Sequence, residues 1–276
     1  MTRATRRSFL LSSGSLLALG ALFGAPALAA NQDEALWNDL RETLFEDRAI
    51  LPGDGVIDLD APYRAHDAAV VPISMVALMP QTSERYIKAM TLIIDKNPAP
   101  VAAVFELTPQ SGLATISTRV RVDSYTHMRV IAETNDGQLY MTTKFVKAAG
   151  GCSAPALKNE EEAIARLGKM KLRQSQPARL GEPNEVQLLI SHPNYSGLQR
   201  DMLTNYYIPA HFVREVVVSY GGQPVLKMEG AISISEDPSL RFTFVPEGPG
   251  ELTVEAWDTD DTQFTQGWPI DPKAGS

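Results

Sequence analysis

The runs HMRVIAE (residues 127–133) and LYMTTKFV (residues 139–146) decide the fold, together with the Asn135-Asp136-Gly137 step that lies between them. Both runs are rich in β-branched and aromatic residues, which favour extended backbone. Asn and Gly accept the positive φ angles of a tight turn, so this step is typical of a β-hairpin. The stretch therefore predicts two antiparallel strands joined by a short turn.

Runs of the same kind recur on both sides of this hairpin, with turn residues between them and no helical crossover. Further strands are predicted at residues 70–73, 91–94, 101–107, 115–122, 186–190, 212–220, 231–235, 240–245 and 252–257. Turns are predicted at residues 97–100, with further hairpins at residues 221–222 and 247–250. Short strands at this spacing indicate an all-β chain of antiparallel sandwiches, one in each half.

The N-terminus has the features of an export signal. Arg6 and Arg7 precede an apolar stretch, and Ala27-Leu28-Ala29 follows it. This order predicts a twin-arginine signal peptide cleaved after about Ala29, and hence a periplasmic protein. The apolar stretch is short and interrupted by Ser and Gly, so we expect no membrane anchor after cleavage.

The mature chain is acidic. Removal of the three arginines within residues 1–29 takes the formal net charge from −8 to −11. An acidic surface argues against nucleic acid and anionic lipid as partners. The length fits two domains, each able to bury a core of its own.

Two helices are predicted outside the strands. Residues 31–50 carry apolar side chains at helical spacing, and residues 159–173 begin with Asn and three Glu and end with Lys and Arg. The predicted organisation is a signal peptide (1–29), a first sandwich (30–149), a connection with a helix (150–183) and a second sandwich (184–276).

Cys152 is the only cysteine of the chain, so it cannot form an internal disulfide. It lies in KAAGGCSAP, residues 147–155, which we call the cysteine arm. Gly150, Gly151 and Ser153 flank the sulfur and offer no apolar side chain to enclose it. We therefore predict a flexible arm with an exposed, functional thiol, whose thiolate form Lys144, Lys147 and Lys158 favour.

Other chemistry has weak support in the sequence. The four histidines, His66, His127, His192 and His211, are scattered without metal-ligand spacing, so no metal is predicted. Asp258, Asp260 and Asp261 fit a solvated turn, because the Gly and terminal Glu of a calcium loop are missing. The sequence contains no phosphate-binding loop, nucleophile elbow or dinucleotide fingerprint, and no cofactor is predicted.

The Gly-Gly-Cys motif after a sandwich resembles SoxY, the subunit of the bacterial SoxYZ complex whose cysteine carries sulfur intermediates of thiosulfate oxidation. The second half resembles SoxZ in the order of its motifs: Ile190-Ser191-His192-Pro193, Gly197, Ile208-Pro209, Phe212, Tyr220-Gly221-Gly222, Glu251-Leu252 and Trp257-Asp258-Thr259-Asp260-Asp261. Together they are similar to fused SoxYZ-like carriers associated with quinoprotein dehydrogenases. In SoxY the arm ends the chain, whereas here a second domain follows it.

The resemblance implies two Ig-like sandwiches in tandem and a carrier that is not an enzyme. Cys152 would hold a sulfur adduct and present it to periplasmic sulfur-oxidising enzymes or a quinoprotein dehydrogenase. Two alternatives remain open. Cys152 is a catalytic nucleophile activated by His127 or His211, or the protein is a non-covalent accessory module in which the cysteine is incidental.

Overall fold

The computed structural model describes residues 25–155, 160–202 and 204–274. The N-terminal helix α1 spans Ala25–Phe45 and, as far as Leu44, belongs to a different compact unit from the rest of the chain. It ends five residues before the predicted boundary because Glu46 adopts a φ of 53° and Ile50 begins a strand. Residues 1–24, with the twin arginines, lie outside the described residues. Neither described helix combines the length and apolar character needed to span a bilayer.

Fifteen strands in the described part of the chain form two sheets. The nine-stranded sheet has the order β1 (Ile50–Pro52), β8 (Leu139–Val146), β7 (Thr126–Thr134), β4 (Ile87–Ile94), β5 (Val101–Leu107), β12 (Gln223–Gly230), β11 (Val213–Tyr220), β14 (Gly250–Asp258) and β15 (Gln263–Ile270). The six-stranded sheet has the order β2 (Ile57–Asp60), β3 (Val71–Ala77), β6 (Ile116–Val120), β13 (Ser239–Phe244), β10 (Asn184–Ile190) and β9 (Met170–Gln174).

The Ig-like sandwich architecture predicted for both halves is confirmed, and the two halves are joined edge to edge. Each half contributes strands to both sheets. In the larger sheet β5 pairs antiparallel with β12, and in the smaller sheet β6 pairs with β13 through Ser117 and Arg241. The two sandwiches therefore share continuous sheets and one hydrophobic core.

Alternation along the strands decides which side chains enter this core. On β14, Leu252, Val254 and Ala256 are fully buried, whereas the residues between them are partly exposed. Burying a leucine or valine side chain stabilises the fold by roughly 1.5–3 kcal/mol. Asp258, at the end of the strand, continues the inward row, so its carboxylate is enclosed as well.

The predicted turns are correct where they join two neighbouring strands of the same sheet. Gly137 has a φ of 85° in the turn between β7 and β8, and Gly221 and Gly222 both have positive φ between β11 and β12. The predicted hairpin at residues 247–250 is wrong, because β13 and β14 lie in different sheets. The predicted strand at 231–235 is also wrong. It is a turn with one isolated bridge, from Ile234 to Val120.

The connecting helix is shorter than predicted. Helix α2 spans Glu160–Ala165, and residues 170–174 form strand β9 instead of the last helical turn. Met170 and Leu172 pair with Ile190 and Leu188 of β10, which fixes an extended backbone. Gly168 separates the two elements, with a φ of 74° and a position at which a Cβ would lie 1.9 Å from the Phe264 ring.

Candidate functional site

The cysteine arm is packed against the first half of the sandwich. The Gly150 amide donates to the Asp123 carbonyl at 2.8 Å, and the Gly151 amide donates to the Val122 carbonyl at 2.9 Å. A Cβ on Gly151 would lie 2.0 Å from the carbonyl oxygen of Ala68, so only glycine fits there. The prediction of a flexible arm is therefore wrong for residues 147–155. At Gly151 the absence of a side chain permits close packing.

The second half holds the other side of the arm. The Ser196 hydroxyl donates to the Cys152 carbonyl (Oγ···O 2.5 Å), and the Gln199 amide nitrogen donates to the Ala154 carbonyl at 2.8 Å. Ser196 and Gln199 are themselves buried and joined, since the Ser196 amide donates to the Gln199 Oε1 atom. Cys152 consequently sits where the two halves meet.

The Cys152 thiol is free and fully buried, so the predicted exposed thiol is also a wrong prediction for this conformation. Burial raises the pKa of the thiol to about 11, with a smaller contribution from the Asp123 carboxylate, while Arg121 acts in the opposite direction. At pH 7 only about one thiol in 10,000 with such a pKa is ionised. Because the thiolate is the nucleophile, the docked arm protects the sulfur from reaction.

An open groove lies beside the C-terminal part of the arm. Ser153 and Pro155 are exposed and line a groove of about 420 Å³. The other residues that line it are Leu198, Arg200, Asp201, Met202, Asn205 and Tyr207. The Ser153 hydroxyl faces the Gly150 carbonyl at 3.4 Å, a weak contact within the arm. The boundary between enclosed and accessible backbone therefore falls between Cys152 and Ser153.

The predicted lysines are not the cations beside the sulfur. Lys144 lies 3.7 Å from an Asp58 carboxylate oxygen, and the Lys147 ammonium lies over the Tyr63 ring, 4.8 Å from its centroid. Lys158 lies outside the described residues. The cation that acts on Cys152 is Arg121, which the sequence analysis missed.

Arg121 follows strand β6 and is only 2% exposed. Its Nη1 atom donates to the Ile234 carbonyl at 3.2 Å, and its Nε atom has no hydrogen-bond partner among the described residues. Burial lowers the pKa of the guanidinium, against the attraction of Cys152, Glu236 and Asp67. Strand alternation places Arg121 on the face opposite the core. The turn at residues 231–237 encloses it there, a tertiary contact that no local pattern reveals.

A second cluster joins two histidines that seemed unrelated in sequence. His192, His211 and Asp258 offer ligand atoms that all lie within 4.8 Å of one another. The Nε2 atom of His211 lies 3.0 Å from the Asp258 Oδ2 atom, and that of His192 lies 3.6 Å from it. The isolated bridge between Tyr195 and His211 brings these rings together. Asp258 is fully buried, so the prediction of a solvated turn is wrong for this residue.

The hydrogen bonds of His192 disfavour metal ligation by this cluster. The backbone amide of Asn194 donates to the Nδ1 atom of His192 at 3.0 Å. Nδ1 is therefore the ring nitrogen that accepts with its lone pair. The neutral ring must then carry its proton on Nε2, which leaves no lone pair for a metal there. Burial lowers the pKa of His192 to about 4, so the ring is neutral at pH 7. The site is better described as two imidazoles around a buried carboxylate.

Neither predicted activating histidine hydrogen-bonds to Cys152 in the described structure. His211 bonds to Asp258, and the His127 ring packs edge-on against Phe145 with centroids 5.0 Å apart. A thiol without an adjacent base, buried in its protonated form, lacks the arrangement of an activated nucleophile. The geometry does not support the cysteine-nucleophile alternative.

Two protein-family models match the chain in tandem. The model of sulfur oxidation protein SoxY matches residues 41–152, and that of sulphur oxidation protein SoxZ matches residues 170–269. The SoxY match ends at Cys152. A search of curated proteins found no match.

Two solved structures are similar to parts of the chain. The sulfur carrier protein SoxY from Chlorobium limicola f thiosulfatophilum is 20% identical with a TM-score of 0.37, over 44% of this chain and 99% of that one. A superoxide reductase (neelaredoxin) from Ignicoccus hospitalis is 15% identical with a TM-score of 0.27, over 42% of this chain and 89% of that one.

Proposed function

Because this chain belongs to the SoxY and SoxZ families and carries one domain of each in tandem, we propose that it holds its sulfur cargo covalently on Cys152. Sulfur-oxidation carriers of this type bind an intermediate and pass it on, and they are not themselves catalysts. The observation that carries the covalent assignment is the position of Cys152, the only thiol of the chain, at the last residue of the SoxY match.

The attachment is an oxidative coupling. If thiosulfate is the cargo, one S–S bond forms between its outer sulfur and Cys152, and the thiol loses one proton. Two electrons leave at the same time, so a partner enzyme with an electron acceptor must complete the step. The product is a disulfide with a sulfonate end, which reducing agents reverse.

Loading requires the arm to leave its docked position, because the enclosed thiol is protonated and inaccessible. Residues 150–154 of the arm are held by four hydrogen bonds, which involve the amides of Gly150 and Gly151 and the side chains of Ser196 and Gln199. At roughly 1 kcal/mol each, these bonds total about 4 kcal/mol, which leaves an open fraction on the order of 10⁻³. Local opening of this size is common in folded proteins, so docking of the arm is compatible with transfer.

Burial of Cys152 also fits the accessory-module alternative, in which the thiol is incidental. An incidental buried cysteine normally packs as a small hydrophobic residue. Here two charged groups, Asp123 and Arg121, act on the sulfur instead. Charged groups around a buried thiol are expected where the protein must control ionisation of the sulfur. This observation favours the carrier over the accessory module.

We propose that the carrier works in the periplasm, exported by the twin-arginine pathway, with sulfur-oxidising enzymes or a quinoprotein dehydrogenase as partners. Two observations support this proposal: the chain has the Arg6-Arg7 pair, and Sox proteins are typically periplasmic. Replacing both arginines by lysine should retain the protein in the cytoplasm, as measured by cell fractionation. Export that persists unchanged would contradict this route.

The carrier assignment is tested by intact-protein mass spectrometry of the chain isolated from cells, with and without reductant. We expect a reducible mass that maps to the Cys152 peptide and corresponds to sulfur or a sulfur oxyanion. The Cys152→Ser variant should lack it and lose transfer to partners, whereas Ser153→Ala should keep both. A bare Cys152, with Cys152→Ser fully functional, would instead support the accessory module.

A further inference from the structure

Four strands form the edges of the two sheets in the described part of the chain, and three of them carry features that oppose pairing with another chain. β1 has only three residues and ends with Pro52. β2 exposes Asp58 and Asp60. β9 exposes Lys171 and Arg173. Shortness, proline and exposed charge are means by which natural sheets protect their edges.

Strand β15 is the exception. Its eight residues, QFTQGWPI, contain no charged side chain, in a chain with a formal net charge of −8. The acidic residues Asp261 and Asp271 at its two ends are paired, the first with Arg214 at 2.8 Å and the second with Lys273 at 2.5 Å. Two copies of an acidic chain repel each other over most of their surface. An uncharged edge is therefore where they approach most easily.

The backbone of β15 presents unpaired groups at this edge. The Asp258 amide donates to the Thr262 carbonyl, so the even-numbered residues of β15 point their backbone groups toward β14. The odd-numbered residues Gln263, Thr265 and Gly267 therefore point their N–H and C=O groups away from the sheet. Outside α1, no other described helix or strand runs along them, and no described backbone group bonds to them.

We propose that β15 is an interface between two copies of this chain, paired antiparallel about a two-fold axis at Thr265. Proline has no N–H to donate, so Pro269 cannot extend the pairing and limits it to residues 263–267. Centred on Thr265, the pairing brings Gln263 of each copy opposite Gly267 of the other. All outward N–H and C=O groups of these residues are then satisfied, in about six hydrogen bonds.

The side chains of β15 fit such a partner. Phe264 and Trp268 pack on the core, but both stay partly exposed because no strand lies beyond β15. A second copy would cover them further, and aromatic residues are enriched in protein interfaces. On the outer face the exposed Thr265 would lie directly opposite its counterpart, and Thr–Thr pairs stabilise antiparallel strands. The contact is the same patch on both copies, so it closes at a dimer.

The test is sedimentation velocity of the chain isolated from cells, under reducing conditions that remove disulfides through Cys152. The interface is small, so we expect a dimer at about 100 μM that dissociates on dilution to about 1 μM. Thr265→Pro removes the N–H at the two-fold axis. In the monomer that N–H faces solvent, where proline is tolerated. We expect dimerisation to weaken at least about tenfold in Thr265→Pro, and less than about twofold in Thr265→Ala, which keeps the N–H.

A cysteine at the two-fold axis tests the register without proline. In a Cys152→Ser background, Thr265→Cys should form an intermolecular disulfide on mild oxidation, because directly opposite residues of a hydrogen-bonded pair have Cα atoms about 5.5 Å apart. Gln174→Cys is the matched control, since Gln174 is also exposed on an edge strand, β9. It should stay unlinked under the same conditions.

A chain that stays monomeric at about 100 μM, or a dimer that Thr265→Pro leaves intact, overturns the proposal. Crosslinking of the Thr265→Cys variant to a different protein in cells, with no dimer in the purified chain, would assign this edge to another partner and also overturn it. None of these measurements depends on cargo at Cys152. The dimer and the carrier function can therefore fail independently.

Discussion

The Ser196 hydroxyl donates to the backbone carbonyl of Cys152, with 2.5 Å between the two oxygen atoms. Ser196 belongs to the second half of the chain, and Cys152 lies at the end of the first half. The bond therefore links docking of the arm to the assembly of the two halves. A SoxY-like arm that ends its chain has one tether, whereas this arm is held from both sides.

Ser196→Ala should loosen the arm. The change removes one hydrogen bond to the docked arm, with a cost of about 1 kcal/mol, so the open fraction should rise about threefold to tenfold. The rate of Cys152 alkylation by iodoacetamide at pH 8 should rise by the same factor. Ser153→Ala is the matched control, since the Ser153 hydroxyl makes only the 3.4 Å contact within the arm. An unchanged rate in Ser196→Ala would mean that this bond does not hold the arm.

Gly151→Ala should displace the arm outright. The new Cβ would lie 2.0 Å from the Ala68 carbonyl oxygen, a backbone atom that cannot move aside cheaply. Because docking is worth about 4 kcal/mol, we expect alkylation of Cys152 to accelerate by about 10²–10³ while the sheets keep their circular dichroism. Gly248→Ala is the control, since it meets open space. Slow alkylation of a folded Gly151→Ala protein would contradict the packing described for the arm.

The sequence predicts most of the sheets because hydrophobic alternation is local. The prediction fails at Cys152 because small neighbouring residues make a segment flexible only when no other part of the chain packs on them. Ala68, Val122 and Ser196 enclose the arm from distant parts of the chain. The prediction for Asp258 is wrong for a related reason. Its acidic neighbours indicate a solvated turn, but strand β14 delivers its side chain to the inward face.

Asp123→Asn should lower the pKa of the Cys152 thiol. The Asp123 carboxylate disfavours the nearby thiolate, so its neutralisation should make the thiolate form at lower pH. Arg121→Gln should make it form at higher pH, since the guanidinium favours the thiolate. The ultraviolet absorbance of the thiolate, titrated between about pH 7 and 12, measures both shifts without requiring the arm to open. Equal profiles for the two variants would show that neither charge controls the sulfur.

Zinc should not stabilise the protein. Ligation by the Nε2 atom of His192 would need the ring proton on Nδ1, where it would oppose the Asn194 amide proton. We expect the melting temperature to stay within error when equimolar Zn²⁺ is added to the reduced chain. Cys152→Ser is measured alongside, to remove thiol binding. A rise in Cys152→Ser that Asp258→Asn abolishes would establish a metal site in the cluster.

Acid should destabilise the fold through His192. The pKa of this residue is about 4 in the folded protein, below the ordinary value of 6.5, so the unfolded chain binds the proton more readily. The stability that neutral His192 contributes is present above pH 6.5 and is lost as the pH falls toward 4. A shift of this size corresponds to about 3 kcal/mol in the free energy of unfolding. His192→Gln, whose side chain does not titrate, should show a smaller loss between pH 7 and 4.5 in urea titrations, whereas His66→Gln, at an exposed position, should behave like wild type. If both variants lose as much stability as wild type, the acid sensitivity lies elsewhere in the fold.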